Sequence, residues 1–301
     1  MLPCSFDSIA VRWAHLGDLA VIGRLMAPFV AQRELLARTE GEMWSLLPQS
    51  FLAEVDGRAV GFAALEIYSQ KLSEIQCLSY EDSPAPEIIA ALVQVCLGQA
   101  RGHGILEVMA VVPPRLESTF AKCGFHVILP GQKKAMFIRT GRGSSGRGST
   151  GRNPSTPPAP VRDVDIRPAN LGDAASVARF LAPFVERGEL LSRTEEELLA
   201  LVRHGFVAEA KGRIVGFTAL EIYSEKLAEV QCVSVEEAHR GQGIGRRLVT
   251  LCVDRARQLH IAETMAITAR EEVLRHCGFD DSLPGAKITL FVRNRFVSSK
   301  E

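Results

Sequence analysis

The chain has no excess charge of either sign: Lys plus Arg and Asp plus Glu number 35 each in 301 residues. That balance leaves no broad electrostatic footprint for nucleic acid or for an anionic membrane surface. No apolar run approaches the roughly 20 residues a membrane span requires. Met1 to Ala10 contains Pro3 and Asp7 and no basic stretch, so a secretory leader is not expected. Seven cysteines include no Cys-x-x-Cys pair, and no His/Cys spacing suits a metal. Cys77 and Cys232, Cys96 and Cys252, and Cys123 and Cys277 are equivalents in the two halves of the chain, each in an apolar context. They read as small buried side chains of a reducing, cytoplasmic compartment. What remains is a water-soluble chain, 47% hydrophobic and 23% charged, long enough for two ordinary domains.

The chain repeats itself. Ala64-Leu65-Glu66-Ile67-Tyr68-Ser69 returns as Ala219-Leu220-Glu221-Ile222-Tyr223-Ser224. Leu16-Gly17-Asp18 matches Leu171-Gly172-Asp173, and Ala27-Pro28-Phe29-Val30 matches Ala182-Pro183-Phe184-Val185. Arg38-Thr39-Glu40 matches Arg193-Thr194-Glu195, and Gln76-Cys77 matches Gln231-Cys232. A domain-sized period means a duplicated domain, not a solenoid. We expect a first domain over residues 1–140, a flexible linker over 141–160 and a second domain over 161–297. The linker is rich in Gly, Ser, Arg, Thr and Pro and lacks the apolar residues that would repay ordering entropy.

Periodicity makes each copy a mixed, layered α/β domain with a central sheet flanked by helices. In the second copy strands are expected at Asp165–Arg167, Phe206–Ala210, Arg213–Ile222, Glu229–Val235 and Thr264–Thr268. Ile288–Val292 is expected to close that sheet. Helices are expected at Leu171–Phe184, after a capping box formed by Thr194 and Glu197, along the stripe Ile244, Leu248, Leu251, Cys252, Leu259, and at Arg270–Cys277.

The most specific local feature is His239-Arg240-Gly241-Gln242-Gly243-Ile244-Gly245-Arg246, between a strand and a helix. Glycines let the backbone approach an anion closely, and the unpaired amides of a helix start point at it. No Gly-Lys-Ser/Thr follows, so this is not a nucleotide P-loop. The third glycine comes one residue too early for a dinucleotide fingerprint.

Arg240-x-x-Gly243-x-Gly245 resembles the acyl-CoA signature of the GCN5-related N-acetyltransferases, the GNAT superfamily. Phe184 to Thr194, Glu225 to Glu229, Gln231 to Val235 and Cys277-Gly278-Phe279 are similar to the acetyltransferase domain of N-acetylglutamate synthases. The amino-acid-kinase domain of the long synthases has no counterpart here, so arginine control through it is not expected. The resemblance implies acetyl-CoA as co-substrate, no metal, a small-molecule amine as acceptor, and a place in amino-acid metabolism and arginine biosynthesis. Val233, Val235, Arg240, Gly241, Gln242, Gly243, Ile244, Gly245 and Arg246 would then hold the coenzyme. The strand edge would pair with its pantetheine amides, and a backbone amide there would polarise the thioester. Glu229 stands where the superfamily often has its general base, with Glu221 in reserve. Many relatives protonate the thiolate with a Tyr at the position here held by Leu274; Cys277, Tyr223 and solvent remain as candidates. Cys232 reads as core rather than nucleophile. Arg193 and Lys226 match positions that hold glutamate carboxylates, and Arg295 is a weaker third.

The implied function is N-acetyl transfer to a small amino acid, glutamate first. Another amine as acceptor, or a non-catalytic sensor of coenzyme or amino acid, are the alternatives. The first copy has lost the loop: Glu81-Asp82-Ser83-Pro84-Ala85-Pro86-Glu87 stands in its place. Two prolines remove amide donors and the carboxylates repel a pyrophosphate, so no coenzyme is expected there. Arg38, Lys71 and Glu74 persist in it, either as an amino-acid sensor or, the reading preferred on sequence, as structure. Two tethered copies are also expected to pair as an intramolecular pseudo-dimer.

Overall fold

The computed structural model describes residues 9–81, 85–127, 129, 134–141, 163–268, 271–281 and 288–294. Of the linker only Gly141 is among them, and Arg295 falls outside. Two compact units emerge, Met1–Ile128 with Leu283–Glu301 (unit 1) and Leu129–Ser282 (unit 2).

Unit 1 contains β1 (Ile9–Trp13), α1 (Leu19–Ala31), α2 (Glu40–Leu46), β2 (Ser50–Val55), β3 (Arg58–Ile67), β4 (Leu72–Tyr80), α3 (Ala85–Gly102), β5 (Glu107–Val112) and α4 (Glu117–Lys122). The next strand in the chain, β6 (Lys134–Arg139), belongs to unit 2. There it is joined by β7 (Asp165–Pro168), α5 (Ala174–Glu186), α6 (Glu195–Val202), β8 (Gly205–Ala210), β9 (Arg213–Ile222), β10 (Leu227–Val235), α7 (Ile244–Gln258), β11 (Glu263–Thr268), α8 (Glu271–His276) and β12 (Asp280–Asp281). The last strand, β13 (Ile288–Arg293), returns to unit 1. The sheets run β1-β2-β3-β4-β5-β13 and β12-β6-β11-β10-β9-β8-β7. Both are antiparallel except for one parallel pair each, β4·β5 and β10·β11. The mixed α/β class and the repeated layered sheet are those expected from periodicity.

Burial explains the layers. In unit 2, Val207, Phe217 and Ala219 of the sheet pack under Val177 and Leu181 of α5 and Leu201 and Val202 of α6. Ala208, Val215, Leu220 and Val230 turn to the other face and meet Ile244, Leu248, Cys252 and Ala256 of α7. Both faces of the sheet are therefore covered; strand alternation divides its residues between two cores, and a register shift of β9 against β8 puts Val215 and Phe217 on opposite faces. Truncating the fully buried Leu248 to Ala is expected to cost about 2–5 kcal/mol. Thr194 caps α6 by accepting from Glu197 N, and the Glu197 carboxylate accepts from Thr194 N at 2.8 Å. The same box recurs at Thr39 and Glu42 of α2.

The edge strands are fastened electrostatically. Arg167 donates to both carboxylate oxygens of Asp173 at 2.8 and 2.9 Å, and Arg12 does the same to Asp18 at 2.8 Å. The Arg12 guanidinium pulls the Asp18 carboxyl down to about 2.

The sequence reading ends the first domain at residue 140 and gives Ile288–Val292 to the second. The structure differs at both places. β6 pairs antiparallel with β11 from Glu263↔Arg139 to Thr268↔Lys134. β13 pairs antiparallel with β5 from Ile288↔Val112 to Arg293↔Glu107. The two strands are repeat equivalents with similar apolar patterns, so either fits either sheet with the same backbone bonds. Composition cannot decide between two such placements.

Insertion of a specific protease site between residues 150 and 151, followed by cleavage, tests the exchange. The two pieces are expected to co-elute on gel filtration in native buffer and to separate only in denaturant, because β6 stays in the ladder of unit 2. Separation without denaturant would place β6 in its own half.

Candidate active site

The site grows from one irregularity in β10. That strand pairs with β9 as Gln231↔Ala219, then as Ser234↔Phe217, so it carries one extra residue between them. Cys232 takes up the bulge with φ of 56°. A bulge of this kind bends a strand and raises its twist. On its other edge β10 runs parallel to β11 only over Leu227, Ala228 and Glu229. Beyond Glu229 that edge has no strand partner among the described residues. Val233 lies there 38% exposed, while Ser234 turns inward at 3%.

The glycine loop stands at the end of this open edge. Gly241 and Gly243 have φ of 76° and 82°, a region that penalises any residue with a Cβ. Gly243 is the N-cap of α7. The first helical bond runs from Arg247 N to Gly243 O, so the amides of Ile244 and Gly245 precede the ladder. Those of Gly241, Gln242 and Gly243 donate to no carbonyl among the described residues. Arg240 folds its Nε back to the Val235 carbonyl at 3.2 Å. Gly245 lies 3.7 Å, measured from an ideal Cβ, from Val235 Cγ2. Strand edge and helix start thus form one continuous donor surface that suits an extended diphosphate ligand. The strand and loop positions named from sequence are brought together here.

A second set of expected residues meets on the same strand. Glu229 and Gln231, two apart, share a face. Glu229 is directly opposite Glu221 of β9. The Tyr223 hydroxyl donates to Glu229 Oε2 at 2.6 Å. The Gln231 amide donates to Glu229 Oε2 at 3.0 Å and to Glu221 Oε2 at 2.7 Å. Its oxygen accepts from Arg193 Nη2 at 2.6 Å, while the buried Arg193 Nε has no acceptor. Burial lifts the Glu229 carboxyl to about 7, against the opposing pull of Tyr223 and Gln231.

Gln231 is the member that sequence reasoning left without a role. Its signal was present: a polar residue two positions after the acid, on the same face of the same strand. Lys226 is exposed in the turn before β10, its amide bonded to Ser224 Oγ at 3.1 Å.

Cys277 lies elsewhere. It is 1% exposed in the core that includes Leu274 and Phe279. Its thiol donates to Arg246 O at 3.5 Å, and burial raises its pKa. Cys232 is at the bulge, and burial pushes its thiol up to about 11, which disfavours a thiolate. Among the described residues no group of three His, Cys, Asp or Glu suits a metal, and no helix is long and apolar enough to cross a membrane.

A mixed sheet thus parts at its centre, with a glycine-capped helix at the opening. Residues 177–279 match the acetyltransferase (GNAT) family model. An uncharacterized N-acetyltransferase of Chlorobaculum tepidum is 30% identical over 122 residues, which are 40% of this chain and 79% of that protein. An amino-acid acetyltransferase of Neisseria meningitidis is 31% identical over 127 residues, 40% of this chain but only 29% of that longer protein. A GCN5-related N-acetyltransferase of Sphaerobacter thermophilus shares the fold across 95% of this chain and 96% of its own, with TM-score 0.51 and 16% identity. The chain belongs to the acetyltransferase (GNAT) family, whose co-substrate is acetyl-CoA.

Gly243→Asp tests the loop. A Cβ at that position meets nothing within 4 Å, so packing survives. The left-handed φ and the added carboxylate act against the anion site. Calorimetric affinity for acetyl-CoA is expected to fall by at least about tenfold, or roughly 1.4 kcal/mol, with a modest fall in melting temperature from the strained backbone. Unaltered affinity would remove the loop from the binding site.

Proposed function

We propose that unit 2 transfers the acetyl group of acetyl-CoA to the amino group of a small amino acid, with glutamate the leading acceptor. The observation that carries this reading is the hydrogen-bonded set Arg193–Gln231–Glu229–Tyr223, placed where β10 parts from β11.

An ammonium must lose a proton before its nitrogen can attack. A carboxyl near pKa 7 in a dry site is matched to that step at neutral pH. Glu229 takes the proton, directly or through one water, and Tyr223 fixes the orientation of its carboxylate. The freed lone pair adds to the thioester carbon, and backbone amides along the open edge near Val233 and Val235 receive the developing oxyanion. The tetrahedral adduct collapses with cleavage of the carbon–sulfur bond. The nitrogen gives up its second proton, the thiolate takes one up, and the amide product leaves.

The Tyr223 hydroxyl, 2.6 Å from Glu229, is better placed to return that proton than Cys277. We assign the Cys277 thiol instead to bracing the first turn of α7 through Arg246 O. Arg193 offers planar donors to a carboxylate and Lys226 a mobile point charge. Both disfavour a cationic acceptor. The amino-acid acetyltransferase relative supports an amino acid as the acceptor class.

Thiol release from acetyl-CoA, measured across the amino acids and a set of polyamines, is the direct test. Glutamate is expected to give the highest kcat/KM. Turnover of a polyamine alone would overturn the acceptor class.

Wild-type kcat/KM is expected to rise about tenfold per pH unit below about 7 and to level off above it. Glu229→Gln is expected to lose on the order of 100-fold together with that rise. An unchanged profile would remove Glu229 as the base.

The same burial has a stability sign. Between the unfolded value near 4.5 and the folded value near 7, only the folded state keeps the proton. Stability therefore falls as pH rises through that window, by up to about 3 kcal/mol. Glu229→Gln is expected to abolish this decline in urea unfolding at pH 5 and pH 8.

A further inference from the structure

Unit 1 repeats the Arg–Gln–Glu–Tyr network. Arg38 Nη2 donates to Gln76 Oε1 at 2.7 Å. The Gln76 amide donates to Glu74 Oε2 at 3.0 Å and to the Tyr68 hydroxyl at 2.9 Å. Tyr68 donates to Glu74 Oε2 at 2.7 Å. Glu66 is opposite Glu74 across β3 and β4, as Glu221 is opposite Glu229. The bulge recurs at Cys77, with φ of 56°. The orphan recurs as well, for Arg38 Nε is buried with no acceptor.

The coenzyme apparatus does not recur. The glycine loop is gone, and Tyr80 stands where unit 2 has Val235. Arg115 bonds bidentately to Glu34, at 2.6 Å for the longer contact, and lies 3.4 Å from the Tyr80 hydroxyl. Phe29 meets Tyr80 edge-on at 5.0 Å. At the end of β4, Phe29, Tyr80 and Arg115 line an open cavity.

A network without a ligand has little reason to persist. Glu74 is 2% exposed, and packing such a group is no better for stability than an apolar residue of similar size. A guanidinium Nε–H left buried without an acceptor is a further cost, of about 1–3 kcal/mol. Both are explained if a carboxylate completes the set.

We infer that unit 1 holds a second amino-acid site, at Arg38, Glu66, Tyr68, Glu74 and Gln76, which binds a free α-amino acid and has no coenzyme with which to modify it. Arg38 receives the carboxylate, and the facing Glu66 and Glu74 receive the ammonium. The ligand class rests on reading the matching set in unit 2 as an amino-acid site. The outcome is an amino-acid-responsive module in the same chain as the transferase, binding a ligand of the acceptor's class.

Calorimetry on the full chain tests this, with each of the twenty proteinogenic L-amino acids as probe and no coenzyme present. Arg193→Met disables the unit 2 site. The wild type is expected to bind two equivalents of one amino acid, Arg193→Met one, and Arg38→Met with Arg193→Met none, or at least tenfold more weakly. Arg193→Met binding none of the twenty overturns the inference, even where the wild type turns over an amino acid and the proposed function stands. Retained binding in Arg193→Met, with no amino acid acetylated by the wild type, overturns the proposed function alone. Should Arg38→Met fail to fold, hydrogen exchange on Arg193→Met decides. Protection of Leu72–Tyr80 on adding the bound amino acid is expected, and its absence refutes the site.

Discussion

The structure depends on one strand leaving its neighbour. β10 must pair with β11 long enough to hold the sheet, then part from it soon enough to expose a backbone edge. The parallel pairing ends at Glu229, and the bulge at Cys232 follows within three residues. That placement has three consequences. The last paired residue is a carboxylate, so Glu229 stands at the apex of the opening and is dried by the sheet around it. The released edge presents amides to an extended ligand as a neighbouring strand would. The extra residue resets the inward–outward alternation beyond it, so Ser234, not Val233, continues the face that Glu229 and Gln231 share. Straightening the strand would close the cleft, bury the edge and move the glycine loop from its mouth.

The two units separate what the opening does from what fills it. Both have the bulge, the acid, the tyrosine and the glutamine. Unit 2 adds left-handed glycines and a helix that starts with unpaired amides. Unit 1 replaces them with Tyr80 and the Arg115–Glu34 pair. The parted sheet is therefore a property of the fold, and the glycine-capped helix start is a property of one loop. This also explains why the duplicate has kept its shape after losing the loop: its cores, such as Phe62, Ala64 and Leu52 under Ile22 and Met26, do not involve the loop.

Much of this was legible in the sequence for identifiable reasons. Arg213–Ile222 appeared as a strand because Lys211-Gly212 marks the turn before it. α6 was announced by Thr194 and Glu197, whose reciprocal bonds are local and need no tertiary context. The glycine loop was legible because its chemistry is carried by consecutive residues. The bulge was not, since a cysteine at positive φ leaves no compositional trace. Nor was the exchange of β6 and β13, because two equivalent strands satisfy either sheet equally. Gln231 was seen only as a point of likeness between the copies. Its function lies in which atoms it faces, and that requires three segments, Arg193, Glu221 and Glu229, to be brought around it.

The orientation of Gln231 follows from its neighbours. Arg193 can only donate, and ionised carboxylates only accept. The amide oxygen must therefore face Arg193, and its nitrogen must face Glu229 and Glu221. So arranged, one neutral side chain relays a positive charge on one side to two carboxylates on the other. Replacing it by a carboxylate would add a third acid to a buried pair. Replacing it by an apolar residue would leave Arg193 without its protein acceptor and the acids without their shared donor. The amide is also what keeps the site from collapsing into a direct Arg–Glu ion pair, which would hold the Glu229 carboxyl low. A neutral spacer between cation and acid thus sets the poise of the site. It recurs as Gln76 in the copy that lacks the glycine loop, so the spacer does not depend on that loop.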